Sequence, residues 1–117
     1  MSSRTDRALL RDIREAIRRI EDYTAAMTYE AFLDDTRTQD AVLRNLEVLG
    51  EAAKRVSPAL RNKHPEIPWR EMARLRDRLI HHYFGVNLDI VWHVATVDLR
   101  GVAAQVEGIL QEFGGTP

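Results

Sequence analysis

Where the helix breakers fall constrains this chain more than anything else in it. Three of its four prolines, Pro58, Pro65 and Pro68, crowd into one short span, and the fourth, Pro117, is the last residue. Proline removes a backbone donor and clashes with the preceding helical turn, so the stretches before and after that span are free to run as long helices. The apolar residues use this freedom. Leu10, Ile13, Ile17, Ile20 and Thr24 recur at alternating steps of three and four, the stripe of an amphipathic helix expected over about residues 5–27. Thr28 offers a fresh N-cap for a short helix around residues 29–33. Val42, Leu46, Leu49, Ala53 and Val56 repeat the same spacing, which predicts a third helix over about residues 36–56.

Ser57-Pro58 closes that helix and starts a short one, since proline is well tolerated at the first helical position. The His64-Pro65-Glu66-Ile67-Pro68 stretch reads as a connector. Another helix is expected from Pro68 to His82 or Tyr83, with Trp69, Met72, Leu75, Leu79 and Tyr83 on its apolar side. Phe84-Gly85-Val86-Asn87 is a turn with Asn87 as the next N-cap. A long final helix then carries Leu88, Val91, Ala95, Leu99, Val102, Val106, Ile109 and Phe113. No strand alternation or repeat is present. The expectation is all-α: one domain over residues 1–117, a bundle of four main helices plus short ones, with a core at about 5–113 and a frayed tail at 114–117.

Composition removes whole classes of function. With 117 residues the chain has material for one core. It has no cysteine, which excludes disulfides, thiolate metal sites and a cysteine nucleophile. No apolar run approaches the roughly 18 residues of a membrane span, and the N-terminus lacks the apolar segment of a signal peptide. A cytoplasmic protein away from membranes is expected. Lys+Arg 17 against Asp+Glu 18 gives a net charge of −1, so the total alone points to no polyanionic partner. The distribution is uneven, however. Residues 61–81 hold Arg61, Lys63, Arg70, Arg74, Arg76 and Arg78 against Glu66, Glu71 and Asp77. Such a run is either a solvated helix face or a patch that attracts phosphate.

The same stretch contains Arg76-Asp77-Arg78-Leu79-Ile80-His81-His82-Tyr83. Histidine can take and give protons near neutrality, and arginine grips phosphate in a bidentate manner. Together they suffice for phosphodiester cleavage without a metal or other cofactor: a proton shuttle and a stabiliser of transition-state charge. Geometry adds a condition. At about 100° per residue, positions 76 and 81 of one helix lie roughly 140° apart, while 76 and 83 are nearly aligned. Either the helix unwinds before His81, or two copies of the segment face each other across a two-fold axis. Glu51, beside Gly50, is expected to be exposed or to orient Arg76 or Arg78, with Gly50 permitting a close helix approach. His64 and His93 have no ligand-spaced partners, Asp89 and His93 suggest a surface pair, and His82 points to a different face from His81.

Taken in order, Leu49-Gly50-Glu51-Ala52-Ala53-Lys54-Arg55, Pro65-Glu66-Ile67-Pro68-Trp69, Arg76 through Asn87, and Val91-Trp92 resemble the HepT-like toxins. These belong to the HEPN (higher eukaryotes and prokaryotes nucleotide-binding) superfamily of helical domains. The family signature is Arg, four residues, His, one residue, Tyr, matched by Arg76, His81 and Tyr83, and the resemblance spans about residues 8–112. It implies a dimeric, metal-independent endoribonuclease, the toxin of a type VII-like toxin–antitoxin pair, with Arg76 and His81 catalytic and RNA as substrate. It also implies a cognate antitoxin, a minimal nucleotidyltransferase that uses ATP and magnesium to place AMP on Tyr83. Arg78, Asp77 and Glu51 are the further candidates for RNA binding or support. Two departures stand out: Asp77 replaces a frequent Asn, and is expected to pair with Arg74, Arg78 or His81; Arg74 replaces a frequent small Gly. The rival reading is a non-catalytic helical module that binds nucleotide or recruits a nucleotidyltransferase.

Overall fold

A computed structural model describes residues 4–81 and 87–113. Among the described residues the chain is helical, with no strand: α1 (Asp6–Thr24), α2 (Tyr29–Leu33), α3 (Thr36–Arg55), α4 (Pro58–Lys63), α5 (Trp69–His81), α6 (Leu88–His93), a π-helical turn (Val94–Asp98) and α7 (Leu99–Glu112). This is the expected all-α bundle, in which α1, α3, α5 and the α6–α7 rod are the main members. No helix among the described residues is long and apolar enough to cross a membrane. The readings that fall on His82, Tyr83, Phe84-Gly85-Val86 and the tail at 114–117 lie outside the described residues, as do the side chains of Leu79 and His81.

Local caps start the helices. The Ala8 N–H donates to Thr5 Oγ1 at 3.1 Å, the Ala31 N–H to Thr28 Oγ1 at 3.1 Å, and the Leu60 N–H to Ser57 Oγ at 3.2 Å. Each satisfies a donor that the first helical turn leaves open. Tertiary bonds then fix how helices meet. Ser57 donates from its hydroxyl to Asp6 Oδ2 (2.6 Å) and from its N–H to Asp6 Oδ1 (2.9 Å), tying the α3–α4 junction to the start of α1. The apolar stripes carry the packing. Leu10, Ile13, Ile17 and Ile20 of α1 and Val42, Leu46, Leu49 and Ala53 of α3 are all buried, and α1 and α3 pack extensively. α5 packs on α3, and α7 on α1, whereas among the described residues α5 and α7 hardly touch. A groove of about 520 Å³ therefore opens between α5 and the final rod, floored by Leu49, Met72, Leu75, Leu99 and Val102.

Three boundaries depart from the sequence expectation. α1 stops at Thr24 rather than Met27, because the Thr24 hydroxyl donates to the Ile20 carbonyl (2.9 Å) and a turn closes from the Met27 N–H to the Thr24 carbonyl (3.1 Å). The final helix is not regular. The Thr96 hydroxyl donates to the Trp92 carbonyl (2.7 Å), the acceptor a regular ladder reserves for the Thr96 N–H, and the backbone widens into the π turn. In that wider turn His93 Nδ1 lies 3.3 Å from Asp98 Oδ2, five residues on; Asp98, not Asp89, is its partner. Phe113 follows the end of α7 and is exposed rather than core. Of the two tryptophans, Trp69 is buried with its Nε1–H donating to the His64 carbonyl (2.9 Å). Trp92 is partly buried, packing on Phe32 and Tyr29 with centroids 5.1 and 6.1 Å away.

Candidate active site

The site is built where α5 crosses α3. Gly50 is buried in α3, and a Cβ there would overlap Arg76 Cβ and lie 2.8 Å from the Met72 carbonyl oxygen. Only a bare Cα lets α5 seat this closely, which offsets the roughly 1 kcal/mol that glycine costs a helix interior. Seating α5 there lays the Arg76 stem on α3 and brings its guanidinium beside the next residue, Glu51. Arg76 Nε lies 3.4 Å from Glu51 Oε1, and Arg76 Nη1 donates to Asp77 Oδ1 at 3.2 Å. The other Glu51 oxygen, Oε2, lies 3.4 Å from Arg55 Nε. One carboxylate thus sits between two guanidiniums.

Arg76 is held from two sides while its side chain stays 26% exposed. A half-buried, positionally fixed guanidinium still has N–H groups to offer an oxyanion, in surroundings that weaken such a contact less than bulk water does. A groove of about 360 Å³ opens beside it, lined by Arg44, Glu47, Glu51, Arg55 and residues of α1. Of the alternatives expected for Glu51, the structure selects the pair with Arg76. Of the partners expected for Asp77, neither Arg74 nor Arg78 reaches it, and the His81 side chain lies outside the described residues; Asp77 meets Arg76, whose long stem folds its head back over the adjacent position.

Arg78 is set apart. It lies about 200° around α5 from Arg76, is exposed, and lines the groove between α5 and the final rod together with Arg74. His81 is the last residue of α5, whose backbone stays helical to that point. The helix does not unwind before it, so positions 76 and 81 keep their roughly 140° separation. Tyr83 lies outside the described residues. Among the described residues no cluster of three or more His, Asp or Glu side chains is arranged to hold a metal ion. Sequence reasoning named Arg55 in a motif and Arg70 among the basic residues without giving either a place in the site, and weighed Arg74 only as a departure from the family pattern and a partner for Asp77. For Arg70, Arg74 and Arg78 a usable signal was present, their i, i+4, i+8 spacing.

The chain is similar to known proteins along most of its length. The family model described as "Ribonuclease HepT-like" matches residues 13–109. The chain is 46% identical to a Thermococcus cleftensis protein named "Probable ribonuclease HepT", over 89% of this chain and 94% of that protein. It is 44% identical to a Methanocaldococcus jannaschii protein provisionally named an RNase, over 98% of this chain and 95% of the other. A second protein of that organism, also provisionally named an RNase, is 39% identical over 98% of this chain and 95% of its own length. No solved structure matches the chain. With most of its length matched by the family model and by full-length relatives, the chain belongs to the HepT-like ribonuclease family of HEPN domains.

Proposed function

We propose that this protein is an endoribonuclease that cuts RNA without a metal ion and serves, in the cytoplasm, as the toxin of a toxin–antitoxin pair. Family membership supports ribonuclease activity in general. The observation that carries the finer reading is Arg76, fixed between Glu51 and Asp77 on a helix that continues unbroken to His81. His81 accepts the proton of the RNA 2′-hydroxyl as the 2′-oxygen attacks phosphorus. It returns the proton to the 5′-oxygen as the P–O5′ bond breaks, leaving a 2′,3′-cyclic phosphate. Arg76 neutralises the charge that builds on the phosphoryl oxygens. Because one straight helix aims positions 76 and 81 apart, the complete site is assembled in a homodimer whose 76–83 segments meet at the two-fold axis.

Tyr83 helps position substrate and is the regulatory acceptor. Its phenol oxygen attacks the α-phosphorus of ATP held with magnesium by a minimal nucleotidyltransferase antitoxin, and pyrophosphate leaves. The added AMP blocks the groove and competes for Arg76.

The test is cleavage of total RNA with and without EDTA by wild type, His81→Ala and Arg76→Lys, each checked for folding and sedimentation. Wild type should cut in EDTA. His81→Ala should lose on the order of 10²–10⁴-fold, and Arg76→Lys, which keeps charge but not the planar fork, should show a large partial defect. A folded His81→Ala that cuts at the wild-type rate overturns the proton-shuttle role, and binding without any cleavage would favour the non-catalytic module. A fully active monomer removes the composite site. Intact-mass analysis after incubation with the nucleotidyltransferase, ATP and magnesium should find AMP on Tyr83; neutralisation with AMP on Tyr23, Tyr29 or nowhere sinks the switch.

A further inference from the structure

The basic segment at 61–78 divides into two kinds of cation. Lys63 reaches Glu112 (3.9 Å) and Arg76 is held by Glu51 and Asp77. Arg61, Arg70, Arg74 and Arg78 have no carboxylate partner among the described residues. Three of these, Arg70, Arg74 and Arg78, are exposed and repeat at i, i+4, i+8 along α5. They form a row of about 12 Å on one side of the helix. Glu71 shares that side of α5 without reaching ion-pair distance of any of them. Arg61 extends the row from α4: it faces Arg70 across a recess of about 410 Å³, and its Nε is buried with no hydrogen-bond partner.

Like charges four residues apart destabilise a helix, and although Glu71 and Asp98 line the same groove as Arg74 and Arg78, no carboxylate among the described residues comes within ion-pair distance of the row. A chain with a net charge of −1 does not carry it as overflow from a general excess of base. The row runs toward the carboxyl end of α5, where His81 lies, and its length covers roughly three to four phosphate-to-phosphate steps of a stacked strand, whose charges repeat about every 3.4 Å along the axis.

We infer that Arg70, Arg74 and Arg78, with Arg61 beyond them, form a phosphate track that holds single-stranded RNA flanking the bond to be cut. This rests on the ribonuclease reading above and extends it from the scissile phosphate to its neighbours. The contacts are to backbone and carry no base specificity; they set where the strand lies and how strongly salt weakens it.

The experiment measures binding of a short, 2′-O-methylated single-stranded RNA, which cannot be cut through its 2′-oxygens, across a salt series. Removing three phosphate contacts in the R70Q/R74Q/R78Q variant should lower the slope of log affinity against log salt by about 2. It should weaken binding roughly 100-fold near 0.1 M salt. R70K/R74K/R78K should recover most of the slope, and R18Q/R19Q on α1 should leave it unchanged. A folded triple glutamine variant with the wild-type slope overturns the track. So does a variant that keeps the RNA slope but loses binding to an acidic polypeptide, which would assign the row to a protein partner. The two readings fail separately: RNA bound through the row but never cut defeats the ribonuclease, and RNA cut normally with the slope unmoved defeats only the track.

Discussion

α1 and α5 are both amphipathic, arginine-rich helices packed on α3, yet they differ in how they meet α3 and in what surrounds their charges. α1 meets α3 through a stripe of branched side chains, Leu10, Ile13, Ile17 and Ile20, all buried. α5 meets it through Met72 and the Arg76 stem against the bare Cα of Gly50. On α1 three of the arginines meet carboxylates: Arg14 reaches Glu107 at 3.2 Å, and Arg18 and Arg19 converge on Glu15 at 2.6 and 3.3 Å. On α5 only Arg76 is so held among the described residues, and the row at 70, 74 and 78 is open. Such ion pairs at an exposed helix surface contribute little, because water and salt screen them. The contrast therefore says little about fold stability. What it separates is a helix whose charge is spent internally from one whose charge remains available to a ligand.

The sharpest way to break this comparison is at the α3–α5 contact. Gly50→Val forces a side chain into Arg76 and the Met72 carbonyl, and overpacking of that kind costs about 1–3 kcal/mol. Ile13→Val on the α1 face only removes a methylene and should cost about 0.5–1.5 kcal/mol. Urea denaturation of both variants measures the difference. Gly50→Val should also reduce RNA cleavage, because Arg76 moves with α5. If Ile13→Val proves the more damaging, α5 does not depend on a glycine contact.

A smaller effect of opposite sign follows from the charges. R18Q/R19Q should lower stability slightly, whereas R70Q/R74Q should raise it slightly through relief of like-charge repulsion. Parallel melts at low and high salt would show both differences shrinking as salt screens them. Equal losses in the two variants would erase the distinction between the helices.

The smallest effect is a titration. Hydrogen bonds from Arg18, then Arg19, hold the Glu15 carboxyl at about 2 against an ordinary 4.5. A depressed carboxyl stabilises the fold fully above its unfolded value, and this support fades as pH falls through the folded one. The Glu15 side-chain carbon, followed by NMR, should titrate near 2 in wild type and return toward 4.5 in R18Q/R19Q.

Much of this protein could be read from local spacing. Residues three and four apart are neighbours on a helix whatever the rest of the chain does. Hence the stripes in α1 and α3, the caps at Thr28, Ser57 and Asn87, and the all-α class were legible before any coordinates. The same logic carried Gly50, Glu51 and Arg76 as far as a suspected contact, because a glycine and a carboxylate inside an apolar helix ask for a close neighbour. The spacing of positions 76 and 81 also stated a geometric conflict that the unbroken α5 retains.

Other features needed the chain folded back on itself. That Glu51 takes Arg76 rather than Arg78, that Asp77 takes Arg76, and that Asp6 grips Ser57 from 51 residues away are matters of which helices lie side by side. The end of α1 at Thr24 and the π turn after His93 were hidden because a threonine hydroxyl competes for a carbonyl only once the helix direction is set. Most consequentially, sequence counted the arginines, but only tertiary structure decided which of them have a carboxylate within reach. Charge is a property of composition; whether it is already neutralised depends on distances between residues far apart in the chain.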